Sequence, residues 1–372
     1  MSAAVAAVPF DFLPRTSTLY GPGSFARLGS VVQSLGMRRV LIVSDLGVAK
    51  TGITARAVKM LWDLKVETFV FQDFGSNPDT QMVRDGHNYA WPLMIDSIVG
   101  LGGGSSMDMA KAINFLLTNG GEMRDYKGHG KATRPMYPMI GVPTTAGTGS
   151  EAQSYCIISD AETHMKMACG DPGAAFRVAI LDPELTLTQP ASVTAAAGYD
   201  ALSHAVESFV TTKRTPWSRM LAREAFRLLE ANLETVVREP ANIEARGAML
   251  LGAHYAGMAI EGSMLGATHA CANPLTAHYG IAHGEAIAVL LHHVVRWNRI
   301  HNEYLQLRAY LPERLRELAQ AAGLPGSLQA AGVKDQSLFE TMAAEATDQW
   351  TGKHNPRTLD LAGAMEIYQC AY

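Results

Sequence analysis

The sequence predicts an α/β half with a parallel sheet, followed by an all-helical half. In the first half, short apolar runs alternate with helical stretches and Gly/Pro turns, which is typical of a parallel sheet with helices on both faces. From about residue 191 the chain is rich in Ala, Leu, Glu and Arg, and strand-like runs stop. The 372 residues suit two domains of about 150 residues each. We therefore place the domains at residues 1–185 and 186–372.

Four strands are predicted in the first half, and a polar or glycine-rich segment follows each of them. The strands cover residues 39–45, 68–71, 97–101 and 139–143. Ligands of such sheets bind at the carboxyl ends of the strands, so these segments are candidates for a binding site. In the second half, apolar residues recur with helical spacing over residues 218–237, 245–260, 284–298 and 312–322.

Composition excludes several classes of protein. The chain is 48% hydrophobic and 18% charged with a net charge of -4, and it has no Lys/Arg run, so we expect neither nucleic acid nor an anionic membrane as a partner. The four cysteines are irregularly spaced, which favours reduced thiols in a cytoplasmic protein. Residues 1–9 lack a basic segment, and no apolar run reaches about 20 residues. We therefore expect no signal peptide and no membrane span.

Two loops at strand ends suggest a dinucleotide site. The first loop, residues 102–105, is glycine-rich and opens a helix, so its backbone N–H groups suit a phosphate, although GxGxxG is absent. The second loop, residues 144–150, is rich in small and hydroxyl residues and suits a nicotinamide or its ribose. Asp45, at another strand end, suits the ribose hydroxyls. Ordinary βα turns without a ligand, and Asp as a turn residue, remain alternatives. The candidate contacts at the loops are Gly103, Gly104, Ser105, Asp108, Thr144, Thr145, Thr148 and Ser150.

The second half contains candidate metal ligands. Asp200 and His204 are four residues apart, which places them on one face of a helix. His269 and His283 are fourteen residues apart, and Asn273-Pro274 and Gly280 between them predict a break in the helix. One carboxylate and three imidazoles suit Fe²⁺ or Zn²⁺. Spacing alone does not exclude the competing side chains, which are His254, Cys271, His278, His292 and His293. Glu207, one turn after His204, is either a partner of a ligand or a helix-face ion-pair residue.

With these residues in place, the chain resembles the iron-dependent, or group III, alcohol dehydrogenases, which include lactaldehyde reductases and butanol dehydrogenases. The resemblance extends in order from about residue 13 to the C-terminus. It rests on residues 101–111 (LGGGSSMDMAK), 141–151 (GVPTTAGTGSE), 181–184 (LDPE), 198–207 (GYDALSHAVE) and 283–284 (HG), together with Asn77-Pro78 and Asn355-Pro356-Arg357.

The resemblance implies a nucleotide-binding N-terminal domain, a metal-binding helical C-terminal domain and a site in the cleft between them. It implies hydride transfer between a primary alcohol or hydroxy acid and NAD, with Fe²⁺ favoured over Zn²⁺, and a homodimer or larger homo-oligomer. We expect NAD rather than NADP because Asp45 would repel a 2′-phosphate. By position, the implied metal ligands are Asp200, His204, His269 and His283, and the implied cofactor contacts are Asp45, Asn77, Gly104, Ser105, Thr144, Thr145 and Lys166.

One position departs from the family pattern. Many members read His-x₃-His where this chain has His269 and Asn273. The second histidine is often proposed to pass the alcohol proton to solvent, and an amide does not titrate near neutral pH. Asn273 is then a candidate for orienting substrate or water, and the proton leaves through water, a ribose hydroxyl or a nearby histidine such as His278.

Two other functions compete with the dehydrogenase. A lyase of the dehydroquinate-synthase type also uses a metal and NAD, but it needs several basic residues around a polyanionic substrate, and residues 255–266 are apolar and small. A non-catalytic nucleotide-binding protein would be expected to have lost a metal ligand, and all four positions are filled.

Overall fold

A six-stranded parallel sheet forms the centre of the N-terminal half in the computed structural model, which describes residues 9–11, 13–163 and 165–372. All neighbouring strands in this sheet are parallel. The four predicted strands and the predicted parallel arrangement are confirmed. The strands lie in the order β1 (Ser17–Tyr20), β9 (Val178–Leu181), β6 (Met139–Pro143), β4 (Ser97–Gly102), β2 (Arg39–Val43) and β3 (Glu67–Phe71).

Helices cover both faces of the sheet, which explains why its central strands are continuous apolar runs. In β2, Val40 and Ile42 face one apolar cluster, whereas Leu41 and Val43 face the other. The helices of this half are α1 (Leu28–Ser34), α2 (Leu46–Lys50), α3 (Ile53–Asp63), α4 (Thr80–Ala90) and α5 (Gly104–Asn119). The first cluster includes residues of α1 and α3, and the second includes residues of α4 and α5.

A second, three-stranded sheet was not predicted from the sequence. It has the order β5 (Gly128–His129), β8 (Lys166–Gly170) and β7 (Tyr155–Ser159), with β8 antiparallel to β7 and parallel to β5. These strands have two to five residues. Buried and half-buried residues alternate along β7 and most of β8, and both residues of β5 are exposed, so the three strands lack the continuous apolar signal of the main sheet. Strand β8 begins at Lys166 and therefore fixes the position of a predicted cofactor contact.

The C-terminal half is helical throughout its described residues, as predicted. The four helical segments predicted in this half lie within or close to the helices Pro216–Arg238, Ile243–Glu261, His283–Asn298 and Leu311–Ala321, and the largest apolar cluster lies between the helices. Strand β9 ends at Leu181 and α6 begins at Ala191, on either side of residue 185, and the domain boundary itself stays a prediction. The helices are α6 (Ala191–Val210), α7 (Pro216–Arg238), α8 (Ile243–Glu261), α9 (Ala267–Tyr279), α10 (His283–Asn298), α11 (His301–Tyr304), α12 (Leu311–Ala321), α13 (Phe339–Asp348) and α14 (Leu361–Ala371).

The predicted helix break between His269 and His283 is half right. Helix α9 continues through Asn273-Pro274, with Pro274 inside it, and ends at Gly280, whose φ is +67°. A proline inside a helix removes one backbone hydrogen bond and kinks the helix, but α9 nevertheless continues past Pro274. The left-handed conformation at Gly280 suits glycine, and it lets the chain turn into α10 at His283.

The two halves meet closely where the connection from β6 to β7 lies on α8. A Cβ added to Gly257 would lie 2.3 Å from the carbonyl oxygen of Gly149, so the two backbones touch. Beside this contact, the imidazole of His254 hydrogen-bonds the carboxylate of Glu151 at 3.0 Å. The connection is thus held against the helical half.

Among the described residues, no helix is long and apolar enough to cross a membrane.

Candidate active site

Three helices bring the four predicted metal ligands together in the cleft. Helix α6 presents Asp200 and His204 one turn apart, α9 supplies His269 near its start, and α10 begins at His283. The Nε2 atoms of His204 and His269 each lie 3.4 Å from Asp200 Oδ1, and His283 Nε2 lies 3.8 Å from it. In the described part of the chain, the ligand atoms of Asp200, His269 and His283 all lie within 4.8 Å of one another.

This cluster fits a divalent metal ion. Asp200 Oδ1 and His269 Nε2 are buried and have no hydrogen-bond partner among the described residues. Buried polar atoms are normally satisfied, and unpaired atoms of two residues that point at the same place indicate a missing ligand. Carboxylate and imidazole donors are those that Fe²⁺ and Zn²⁺ accept.

The protonation states of three of the four side chains also suit a cation. Burial lowers the pKa of His204 to about 4. Burial and the charge of Lys166 bring the pKa of His283 well below its usual range. Burial opposes ionisation of Asp200, but the imidazoles around it outweigh burial and lower the pKa of its carboxyl. At neutral pH, His204 and His283 are therefore neutral and Asp200 is an anion. Burial opposes protonation of His269, but the carboxylates of Glu207 and Asp200 outweigh burial and raise its pKa to about 9, so a metal ion would displace a proton from Nε2 of His269.

Glu207 holds the ring of His269, one of the predicted metal ligands, which is the first of the two roles suggested for it by the sequence. Its Oε2 accepts a hydrogen bond from Nδ1 of His269 at 2.6 Å, and its Oε1 accepts one from the backbone N–H of Thr268 at 2.7 Å. A proton on Nδ1 leaves the lone pair of Nε2 free to face Asp200, which is the usual arrangement of a metal-binding imidazole with a carboxylate behind it.

The competing side chains have other partners or lie elsewhere. His254 lies between Glu151 and the hydroxyl of Thr18. His278 hydrogen-bonds Glu345 on α13. The ring of His292 lies against that of His293, with centroids 3.9 Å apart and an angle of 40° between the rings. Cys271 is buried, and burial raises the pKa of its thiol far above its usual value, so the thiolate that a metal would need is disfavoured. The remaining candidates, Asn273 and His278, both face α13, where Asn273 Nδ2 donates to Gln349 Oε1 at 3.0 Å.

The two predicted cofactor loops lie against each other. A Cβ added to Gly104 would lie 2.6 Å from Cγ2 of Thr148, and one added to Gly103 would lie 3.3 Å from Oγ1 of Thr145. Gly102 has φ +150°, and a Cβ there would lie 2.3 Å from Ser106 Oγ. Glycine is therefore needed for the close approach of the loops, and the free N–H groups at the start of α5 face the same region.

Two other predicted cofactor contacts border the first loop. Asp45 caps α2, because its Oδ1 accepts from the backbone N–H groups of Gly47 and Val48, and its Oδ2 accepts from Ser106 at 3.2 Å. Asn77 has a left-handed φ of +52°, and its backbone N–H donates to Ser105 Oγ at 3.3 Å. Strained positions of this kind cluster at binding sites.

Lys166 links the cofactor side of the cleft to the metal side. Burial lowers the pKa of its ammonium group, and the carboxylates of Asp200 and Asp108 oppose that shift. Its charge also acts on His283. Asp108 and Ser150 bond to each other, with Ser150 Oγ donating to Asp108 Oδ1 at 2.7 Å, and Lys111, which the sequence analysis did not select, joins them.

Family models match almost the whole chain. The model of the iron-containing alcohol dehydrogenases matches residues 15–183, and that of the C-terminal part of the Fe-containing alcohol dehydrogenase family matches residues 194–372. The chain belongs to the iron-containing alcohol dehydrogenase family. The predicted family, fold and enzyme class are confirmed, and so is the prediction of NAD and iron as cofactors, at the level of the family.

Relatives and solved structures agree with this membership. The chain is 31% identical to an NAD-dependent methanol dehydrogenase of Bacillus methanolicus (97% of this chain, 99% of the relative) and 33% identical to a 1,3-propanediol dehydrogenase of Klebsiella pneumoniae (98% and 99%). A crystal structure of 1,3-propanediol oxidoreductase superposes with a TM-score of 0.94 at 32% identity (98% and 100%). A sulfoacetaldehyde reductase of Bifidobacterium kashiwanohense in complex with NAD⁺ gives a TM-score of 0.89 at 26% identity (98% and 99%). These similar proteins are dehydrogenases or reductases, and none supports the lyase or the non-catalytic alternative.

Proposed function

We propose that this alcohol dehydrogenase interconverts a short primary alcohol and its aldehyde, with NAD(H) on the two loops and Fe²⁺ on Asp200, His204, His269 and His283. The observation that carries the proposal is the pair of buried, unpaired ligand atoms Asp200 Oδ1 and His269 Nε2, which lie 3.4 Å apart, with the charge of Lys166 acting on Asp200. The relatives named for methanol and 1,3-propanediol support a small substrate.

Some residues of the chain would bind the metal ion, and others would orient those ligands or place charge beside the cofactor. When bound, the metal supplies a Lewis acid for the substrate oxygen, and the nicotinamide carries the hydride. His204 and His283 offer neutral lone pairs, Asp200 offers a negative charge, and Glu207 fixes the ring of His269. The ammonium group of Lys166 adds positive charge on the cofactor side of the cleft.

Asn273 would orient substrate or water without exchanging a proton, because an amide is neither an acid nor a base near neutral pH. The proton would leave through water, a ribose hydroxyl or His278. The side chain of His278 is 29% exposed and is paired with Glu345, so it has access to solvent.

Absorbance at 340 nm tests the proposal with NADH, a panel of short aldehydes, hydroxyaldehydes and semialdehydes, and protein reconstituted with Fe²⁺ or Zn²⁺. We expect turnover that depends on metal and disappears in His204→Ala, whereas the exposed control His301→Ala keeps it. A protein that binds both metal and NADH but turns over no aldehyde in the panel would refute the proposed reaction.

We also propose a cytoplasmic homodimer or larger homo-oligomer, as the family resemblance implies. The chain mass is 40.0 kDa. Light scattering of the metal-loaded protein should give at least twice that mass, and a mass of one chain at micromolar concentration would contradict the oligomer.

A further inference from the structure

The ammonium group of Lys111 is buried between the two cofactor loops and is fully hydrogen-bonded. Its side chain is 0% exposed. Nζ donates to the carbonyl oxygen of Ser150 at 2.7 Å, to Ser150 Oγ at 2.9 Å and to the carbonyl oxygen of Tyr155 at 2.6 Å. An ammonium has three N–H donors, so every proton of the group has an acceptor. Two acceptors belong to Ser150, in the connection between β6 and β7, and the third belongs to Tyr155, the first residue of β7.

A carboxylate completes the arrangement. Ser150 Oγ accepts from Lys111 and donates to Asp108 Oδ1 at 2.7 Å, and Asp108 Oδ2 accepts from the backbone N–H of Ile157 at 3.3 Å. Asp108 and Lys111 are three residues apart on α5 and so share one face of that helix. Burying two charges costs several kcal/mol per ion unless hydrogen bonds compensate, and here the compensating bonds join three separate elements.

These bonds link the loops mechanically. Helix α5 starts at Gly104, so Asp108 and Lys111 are rigidly connected to the first loop. Ser150 is the last residue of the second loop. The loops are already in contact through Gly104 and Thr148, and a shift of Ser150 would change that contact.

We propose that Asp108, Lys111 and Ser150 form a latch that sets the separation of the two loops, and that they control NAD(H) binding through loop position rather than by touching the cofactor. This rests on the proposed function, in which both loops hold NAD(H). It changes the role predicted for Asp108 and Ser150 from cofactor contacts to positioning residues.

Binding of NADH to the metal-reconstituted enzyme tests the latch, with fluorescence used to measure Kd. We expect Lys111→Met and Ser150→Ala each to raise the Kd for NADH about tenfold, which corresponds to the loss of one strong hydrogen bond. Metal content should be unchanged, and kcat at saturating NADH should change less than Kd. Ser150→Ala leaves both carbonyl acceptors of Lys111 in place, so it disturbs the structure less than Lys111→Met does. If Lys111→Met does not fold, Asp108→Asn replaces it in the experiment.

The double variant separates a latch from direct contact. When residues act as one unit, the effects of their substitutions on binding do not add. The Kd for NADH of Lys111→Met/Ser150→Ala should therefore equal, within about twofold, the higher of the two Kd values of the single variants. If Lys111→Met is unstable, the same comparison is made with Asp108→Asn/Ser150→Ala. Multiplying effects would show that Ser150 touches the cofactor independently, and they would overturn the latch. So would single variants with the Kd of the wild type.

A matched control removes another cation from a hydrogen bond in the helical half. Arg314 Nε donates to Glu230 at 2.6 Å, and Arg314→Met should keep the wild-type Kd for NADH whatever its melting temperature. Failure of the proposed function has a different signature, because it is seen in the wild-type enzyme, which would then either not bind NADH or bind it without turning over any aldehyde of the panel.

Discussion

Replacing Glu207 by glutamine should weaken metal binding without removing a metal ligand. The carboxylate is buried, with 4% of the residue exposed. Two N–H donors face it, namely His269 Nδ1 and the backbone N–H of Thr268. A glutamine has the same shape but only one acceptor oxygen, so it can satisfy one of the two donors and must turn its NH₂ group toward the other.

Either orientation of the glutamine is unfavourable. If the NH₂ group faces His269, the ring must accept at Nδ1 and carry its proton on Nε2, where the metal should bind. If it faces Thr268, a buried N–H group loses its acceptor, which costs about 1–3 kcal/mol. Loss of a ligand's hydrogen-bond partner typically reduces metal affinity by about 10–100-fold, and we expect Glu207→Gln to fall in that range.

Competition with a chromophoric chelator measures the affinity for Zn²⁺ or Co²⁺, and thermal unfolding of the metal-free protein shows whether the variant folds. The control is Glu345→Gln, because Glu345 is also paired with a histidine, His278, but is 42% exposed; its metal affinity should equal that of the wild type. A folded Glu207→Gln protein with wild-type affinity would show that the hydrogen bond to His269 does not orient the ligand.

Four further predictions test other parts of the site and fold. Asp45→Gly should improve the relative use of NADP(H), because the carboxylate repels a 2′-phosphate. It should lower stability by only about a few tenths of a kcal/mol, because glycine is itself tolerated as a helix cap. Equal wild-type efficiency with NAD(H) and NADP(H) would contradict the role of Asp45. Elemental analysis should find metal lost from His283→Ala and retained in Cys271→Ala, and the reverse would refute the ligand set. Asn273→Ala should keep its metal and lose part of its turnover, with no titrating group missing from the profile of log(kcat/KM) against pH, whereas Asn273→His should add a pH dependence near the usual histidine pKa of about 6.5. Backbone hydrogen bonds and a neighbouring guanidinium hold the pKa of Asp160 at about 2, below the usual value of about 3.9. The ionised carboxylate therefore stabilises the fold fully above pH ~4, and this stabilisation is lost as the pH falls toward about 2. The difference in melting temperature between the wild type and Asp160→Asn should become smaller as the pH is lowered over that interval.

The sequence predicted four of the six strands of the main sheet, and the long helices, because their signals are local. Strands β1 and β9, of four residues each, were not predicted. A buried parallel strand is a continuous apolar run, as in β2, and a helix repeats its apolar face, as in α7. The small sheet was not predicted because its strands are short and lack a continuous apolar run. Pro274 misled the prediction because its penalty inside a helix is local, whereas the packing that offsets it comes from distant segments.

The ligand set shows the same limit more clearly. Spacing could not separate His269 from His254 or His278, and only the resemblance made the choice. In three dimensions the distinction lies in their partners. His254 meets Glu151 and Thr18, and His278 meets Glu345, while the Nε2 of His269 faces Asp200 with no hydrogen-bond partner among the described residues. These partners lie between 67 and 236 residues away along the chain, so local spacing does not reveal them.

The connection from β6 to β7 determines how the two halves of the proposed site face each other. From the sheet side, Lys111 and Asp108 hold Ser150. From the helical side, Glu261 accepts from both the backbone N–H and the hydroxyl of Ser154, at 3.0 and 2.6 Å. A segment tied from both sides cannot move with one half alone, so a shift of α8 would be transmitted to the second loop. Hydride transfer requires the reacting carbons to be held about 3–3.5 Å apart, and a connection tied in this way would keep the nicotinamide side of the cleft in register with the metal side.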